Sequence, residues 1–235
     1  MVTLQRGLII LPPPVIQWFE ELEPQPLIEA VPDPAGAAVF SADMVVGFCK
    51  SGSLASERIG NLVEPVVELF RRAHAYGVRR FVLLQDTHHP QAPEFQAFPP
   101  HCVRGTEEAA TIPELMDLPF SRDFVIIEKN SLHPALSTGF DRWLELHAGL
   151  HTAIVVGNCT DLCVYQLALH LRLRANALNQ DHFRVIIPAN AVDTYDVPAE
   201  AAEASGALAH PGDFFHQVFL YHLALNGVEV VQELL

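Results

Sequence analysis

From Ala37 to the C-terminus, short runs of Val, Ile and Leu recur with longer helical stretches between them, and this alternation constrains the chain more than any other feature. The runs Ala37–Asp43, Arg80–Gln85, Phe124–Glu128, Thr152–Gly157, Arg184–Ala189 and Val228–Gln232 read as buried strands. Between them the spacing predicts helices over Glu57–Tyr76, Leu162–Asn176, Pro198–Ala209 and Asp213–Asn226. In the first helix Ile59, Leu62, Val63, Val66, Leu69 and Phe70 share one face, and Gly77 supplies a stop. Strands apolar on both faces and separated by helices imply a parallel sheet covered on both sides. Right-handed crossovers then give an α/β, doubly wound three-layer (αβα) fold on a six-stranded, mostly parallel sheet. Residues 37–235 form one domain in this reading. Residues 1–36, rich in proline and without a clean period, form an extended arm packed on it.

In such sheets ligands bind outside the carboxyl ends of the strands. The first strand ends on Asp43, in FSADMVVGF. The second ends on Asp86, in LLQDTHH, and the third on Lys129, in VIIEKNS. The fourth runs into VVGNCTDLC, which turns into a helix carrying Cys163. Alone, each has a bland explanation: a cap, a solvated charge, a small buried thiol. Four successive strands delivering such residues to one rim point to chemistry. A thiol attacks as thiolate, so a base must take its proton or its pKa must fall. The first turn of a helix and the Lys129 ammonium both favour the anion. Asp43 can accept the proton and return it to a leaving amine. Free N–H groups in the turn 158–163 can hold an oxyanion.

A second cluster, Asp86, His88, His89, Glu94 and His101, follows the second strand. The Asp-x-His alternation puts Asp86 and His88 on one side of an extended backbone. Two imidazoles and one or two carboxylates suit a first-row divalent metal, and they equally suit a polar loop. Phe48, Phe95 and Phe98 are candidates for pocket lining or for core. The remaining histidines, His133, His210, His216 and His222 among them, have no spacing that singles them out. AVDTYDVPAE reads as capping the helix that starts near Pro198.

The formal net charge of −14 disfavours nucleic acid and anionic membrane surfaces as partners. Four cysteines in 235 residues are too few for a disulfide scaffold and lack the spacing of a structural zinc site. Three prolines interrupt the apolar stretch Gly7–Ile16, and no run approaches a membrane span. A soluble, cytoplasmic protein is expected.

These segments resemble the isochorismatase-like cysteine hydrolases, and among them the nicotinamidase branch. The resemblance rests on Asp43 with GFCKSGSLA downstream, DTHHPQAPEFQAFPPHCVRGT, IIEKNS and the G-x-x-T-D-x-C turn from Gly157 to Cys163. It implies a triad of Asp43, Lys129 and Cys163. It implies an oxyanion hole from the backbone N–H groups of Cys159 and Cys163, with a cis peptide between Asn158 and Cys159. It implies Phe48 as a ring-stacking wall. It also implies one divalent ion, zinc first and iron or manganese next, on Asp86, His88 and His101 with Glu94 contributing. The implied reaction is hydrolysis of a small amide through a cysteine thioester, nicotinamide to nicotinate and ammonia, in a homo-oligomer. A carbamoyl or ureido amidohydrolase and a catalytically silent binding scaffold are the alternatives.

Overall fold

The computed structural model describes residues 11–235, apart from the side chain of Ser205, and the first ten residues of the proline-rich arm lie outside that range. Seven strands follow in chain order: β1 (Ala37–Ala42), β2 (Phe81–Asp86), β3 (Val125–Lys129), β4 (Thr152–Asn158), β5 (Arg184–Pro188), β6 (Val192–Asp193) and β7 (Glu229–Val231). The helices are α1 (Pro13–Glu20), α2 (Leu27–Ala30), α3 (Val46–Cys49), α4 (Glu57–Gly60), α5 (Val63–Tyr76), α6 (Pro113–Met116), α7 (Phe140–Leu146), α8 (Cys163–Ala177), α9 (Ala199–Ser205) and α10 (Gly212–Leu225).

The sheet order is β3-β2-β1-β4-β5-β7, with β6 paired to β4, and every pairing is parallel. The chain winds outward from β1 through β2 to β3, then returns to the centre and winds the other way. The direction reverses between β1 and β4, where Ala42 pairs with Gly157. That switch point opens a crevice at the carboxyl ends of both strands. The approach there is close: a Cβ on Gly157, whose φ is +108°, would lie 2.0 Å from the Ala42 carbonyl oxygen. Only glycine fits a backbone that near a neighbour in that conformation.

The central strands bury both faces. In β1, Ala37 and Val39 join the core under α5, whereas Ala38, Phe40 and Ala42 join the one under α7, α8 and α10. Helix α5 presents Val66, Val67, Leu69, Phe70 and Ala73 to the first core, and α8 presents Val164, Leu167, Ala168, Leu171 and Ala175 to the second. Each Val, Leu or Phe among these contributes about 1.5–3 kcal/mol by leaving water.

The structure departs from the sequence reading in several places, and the helix expected over Pro198–Ala209 ends at Ser205, where Gly206 caps it with φ +73°. The helix expected over Glu57–Tyr76 is two helices, because Pro65 has no N–H for the Asn61 carbonyl and its ring crowds that oxygen. A seventh strand, the two-residue β6, is too short to leave a periodic signal. Strand β3 is an edge, so Val125, Ile126 and Glu128 are exposed rather than buried on both faces. The arm is not extended throughout: Pro12 and Pro13 start α1, which packs on α10 with Trp18 edge-on to Tyr221 at 5.2 Å. Beyond α1 the arm runs beside the C-terminus, with Gln25 N–H donating to the Glu233 carbonyl at 2.8 Å. Among the described residues no helix is long and apolar enough to cross a membrane.

Candidate active site

Asp43 follows β1 with φ +51°, its backbone N–H donating to the Leu84 carbonyl at 2.9 Å. Its carboxylate accepts the backbone N–H of Asp86 at 2.7 Å, and the Asn158 side chain donates to its carbonyl at 2.7 Å. Lys129 ends β3, paired across to Asp86 in β2. Its Nζ lies 2.9 Å from Asp43 Oδ2, 2.5 Å from Asp86 Oδ1 and 3.4 Å from Cys163 Sγ. All four residues are buried.

Burial works against every charge in this group, so the partners decide. Asp43 and Asp86 flank one ammonium, which stays charged with its pKa well above the usual lysine range because the two carboxylates outweigh burial. Asp86 is held well below the carboxylate range: burial alone would raise it, and the Lys129 ammonium leads the pull the other way. Asp43 moves the other way, to about 6, pushed up by burial and by the Asp86 anion against the pull of Lys129. The Cys163 thiol is raised well above its ordinary value, by burial first and the Asp43 carboxylate next. Lys129 pulls the thiol the other way, toward the anion, and offsets part of that rise. The thiol rests protonated beside a carboxylate whose proton affinity suits transfer near neutral pH.

The turn from β4 to α8 carries Cys163 at the first helical position, and the Asn158–Cys159 peptide is cis. The N–H of Thr160 donates to the Asp193 carbonyl and that of Leu162 to the Cys159 carbonyl, both at 3.0 Å. Among the described residues the N–H groups of Cys159 and Cys163 have no such acceptor. Two free donors beside a buried thiol make the arrangement an oxyanion hole needs.

Asp86, His88, Glu94 and His101 converge, with one ligand atom from each within 4.8 Å of all the others. His88 Nε2 lies 3.3 Å from Asp86 Oδ1 and 3.7 Å from Glu94 Oε1, and His101 Nε2 lies 3.8 Å from Asp86 Oδ2. His101 Nδ1 is 2.8 Å from the Pro99 carbonyl, which fixes its proton there and leaves Nε2 as a lone-pair donor toward the cluster. His88 Nε2 and Glu94 Oε1 are buried without a hydrogen-bond partner. Buried polar atoms left unpaired are costly, and two imidazole nitrogens with two carboxylates are the donor set of a first-row divalent metal. The residues fit such an ion. His89 is exposed and stands outside the group.

Both clusters open on one cavity of about 200 Å³. Asp43, Asp86, Glu94, His101, Cys159 and Cys163 line it on the strand-end side. Phe48, whose ring centroid is 5.5 Å from that of His101, lines it with Phe98, whereas Phe95 packs against His88 and His101 behind it. Of the residues that the sequence nominated for the triad, the turn, the wall and the metal, all but Lys129 and His88 line this crevice, and those two lie directly against Asp86, which does. The sequence reading missed a further part of the wall. Tyr195, Asp196 and Val197 line the cavity. Asp196 accepts the Gly212 N–H at 2.7 Å, so AVDTYDVPAE caps α10 rather than the helix after Pro198. It also missed the role of Asp86 as a shared member of both clusters. The parallel strand register, which pairs Asp86 with Lys129, carried that signal.

The Isochorismatase domain family model matches residues 37–212. The chain is 31% identical over 230 residues to Nicotinamidase 1 of Arabidopsis thaliana, covering 90% of this chain and 91% of that one. Among solved structures, the cysteine hydrolase from Pseudomonas syringae pv. phaseolicola superposes with a TM-score of 0.66 at 21% identity, over 89% of this chain and 92% of that one. The pyrazinamidase of Pyrococcus horikoshii in complex with zinc does so with a TM-score of 0.62 at 22% identity, over 84% of this chain and 99% of that one. These two share the doubly wound fold, and the family match spans the strands and the turn that build the crevice. The chain belongs to the isochorismatase family.

Proposed function

We propose that the protein hydrolyses nicotinamide to nicotinate and ammonia through a thioester on Cys163. The reaction starts with Asp43 taking the thiol proton. The thiolate attacks the carboxamide carbon, and the N–H groups of Cys159 and Cys163 hold the oxyanion. Protonated Asp43 then gives its proton to the leaving nitrogen, which departs as ammonia. A water deprotonated by Asp43 attacks the thioester, and the carboxylic acid leaves as the thiol re-forms. Lys129 stays charged throughout and keeps two carboxylates tolerable beside a transient thiolate.

The observation that carries the choice of substrate is the second cluster. Asp86, Glu94 and His101 line the same cavity as Cys163, with His88 behind them. A bound divalent ion, zinc by preference with iron or manganese as substitutes, would supply a Lewis acid for a pyridine nitrogen. An amide without a ring nitrogen has no use for that donor set, which favours nicotinamide over a carbamoyl or ureido compound. The relative in Arabidopsis thaliana is named a nicotinamidase, and the Pyrococcus horikoshii pyrazinamidase was solved with zinc. Phe48 would stack on the ring.

The test compares ammonia release from nicotinamide, pyrazinamide and benzamide before and after chelation, with elemental analysis of the protein. The proposal expects about one ion per chain, strong loss of nicotinamide and pyrazinamide turnover on chelation, and poor turnover of benzamide throughout. Metal-free protein that cleaves benzamide as fast as nicotinamide would overturn it.

A further inference from the structure

Beneath the turn that offers the two free N–H groups lies a buried network that neither the triad nor the metal cluster uses. Asp161, two residues before Cys163, is its centre. Asp161 Oδ1 accepts the Thr194 hydroxyl at 2.5 Å, and Asp161 Oδ2 faces His210 Nε2 at 2.8 Å. His210 Nδ1 faces the Tyr195 carbonyl oxygen at 2.9 Å. Asp161, Thr194 and His210 are all buried.

The two ring nitrogens therefore bridge the Asp161 carboxyl and the Tyr195 carbonyl. The ring lies flat between Tyr195, at 3.8 Å and 12°, and Phe215, at 4.2 Å and 9°. The Asp161 carboxyl sits on its edge. The backbone holds the same geometry, because His210 and Val197 exchange N–H···O bonds at 2.8 and 2.9 Å. His210 therefore ties two things together: the turn that carries the oxyanion donors and the loop whose Tyr195, Asp196 and Val197 line the cavity.

We propose that His210, through Asp161, is a positioning residue that fixes the Cys159 and Cys163 N–H groups relative to the Tyr195–Val197 part of the cavity wall. It touches neither thiol nor substrate, and it acts on the alignment of the oxyanion donors. The kinetic part of this inference rests on the amide hydrolysis proposed above.

The experiment has two arms. In the first, histidine-selective 15N NMR of the metal-loaded protein should show both ring nitrogens of His210 engaged in hydrogen bonds. In Asp161→Asn, whose amide can still partner Nε2, the backbone amide resonances of Cys159 and Cys163 should stay close to wild type. In Asp161→Ala and His210→Gln those resonances should move. A His210 ring nitrogen free of hydrogen bonding in the wild-type protein overturns the proposal, even if no variant folds. Unmoved Cys159 and Cys163 amides in folded Asp161→Ala and His210→Gln variants overturn it too.

In the second arm, Asp161→Ala and His210→Gln should each lower kcat for nicotinamide by about tenfold to a hundredfold, as a misaligned donor does. KM should stay within about threefold and metal content and Cys163 alkylation should be unchanged, as expected when only transition-state contacts are lost. The double variant should be no worse than the more severe single, and Asp161→Asn should recover most of the rate. Losses that appear in KM or metal content instead, or rates within twofold of wild type, would refute the positioning role. The exposed His182→Gln serves as the control with wild-type rates. Wild-type protein inert toward nicotinamide would sink the substrate assignment, and the first arm would still decide the clamp.

Discussion

Replacing Lys129 with methionine should damage stability and catalysis together, and the damage should grow with pH. The ammonium sits 2.5 Å from Asp86 and 2.9 Å from Asp43, buried with both. Methionine fills much of the volume and leaves two carboxylates facing each other with no counter-charge. Removing one partner of a buried ion pair costs about 3–5 kcal/mol. For a chain of this size that corresponds to a Tm lower by about 6–20 °C. The pH dependence follows from Asp43, whose pKa in the folded protein is already raised to about 6 by burial and Asp86. A carboxyl raised on folding binds its proton more tightly in the folded state, so stability falls as pH rises through the window between its unfolded and folded values. Lys129 is what restrains that rise, and without it the window extends above 6. Lys129 itself, raised above the ordinary lysine range, contributes fully at every pH below that range. The Tm deficit of Lys129→Met, measured on chelator-treated protein, should therefore be larger at pH 8 than at pH 5. Adding Asp86→Asn removes one of the two unpaired anions, so the double variant should regain part of the Tm at pH 8 and none of the turnover. A deficit under about 2 °C at both pH values, or one larger at pH 5, would show that the lysine does not balance these carboxylates.

Three further outcomes follow from the same geometry. Cys163→Ala should abolish nicotinamide hydrolysis with Tm and metal content near wild type, whereas Cys159→Ala, which keeps its backbone N–H, should retain much of the rate; parallel assays of both variants separate the two thiols. Gly157→Ala should lower Tm by well over 5 °C and remove activity, because its Cβ would sit 2.0 Å from the Ala42 carbonyl at a φ of +108°; a folded, active alanine variant in a thermal melt would contradict the close approach. Glu94→Gln should weaken metal retention under chelator challenge without changing Cys163 alkylation, since Glu94 Oε1 faces His88 and not the thiol.

Much of this site was legible because the fold class fixes where strand ends go. Once six buried runs and their helices are read, Asp43, Asp86, Lys129 and the turn before Cys163 fall on one rim whatever the details. The metal residues needed the resemblance, since spacing alone left a polar loop as an equal reading. What stayed hidden depends on distances that periodicity does not encode. Register across β2 and β3 makes Asp86 a partner of Lys129 as well as of His88. Burial of Cys163 beside Asp43 outweighs the pull of the nearby ammonium and holds the thiol above its ordinary value. His210 and Tyr195 reach the turn from loops far along the chain, and no local pattern announces that. The break before α5 was readable in hindsight from Pro65, and β6 was too short for any period to register.

The central claim is a covalent intermediate on one sulfur, and a rapid-quench mass measurement tests it most directly. Metal-loaded protein mixed with nicotinamide, stopped in acid within one turnover and digested, should carry a nicotinoyl group on the peptide containing Cys163, with ammonia released no later than the adduct forms. Turnover with that peptide unmodified throughout, or with the acyl group on another residue, would contradict the account.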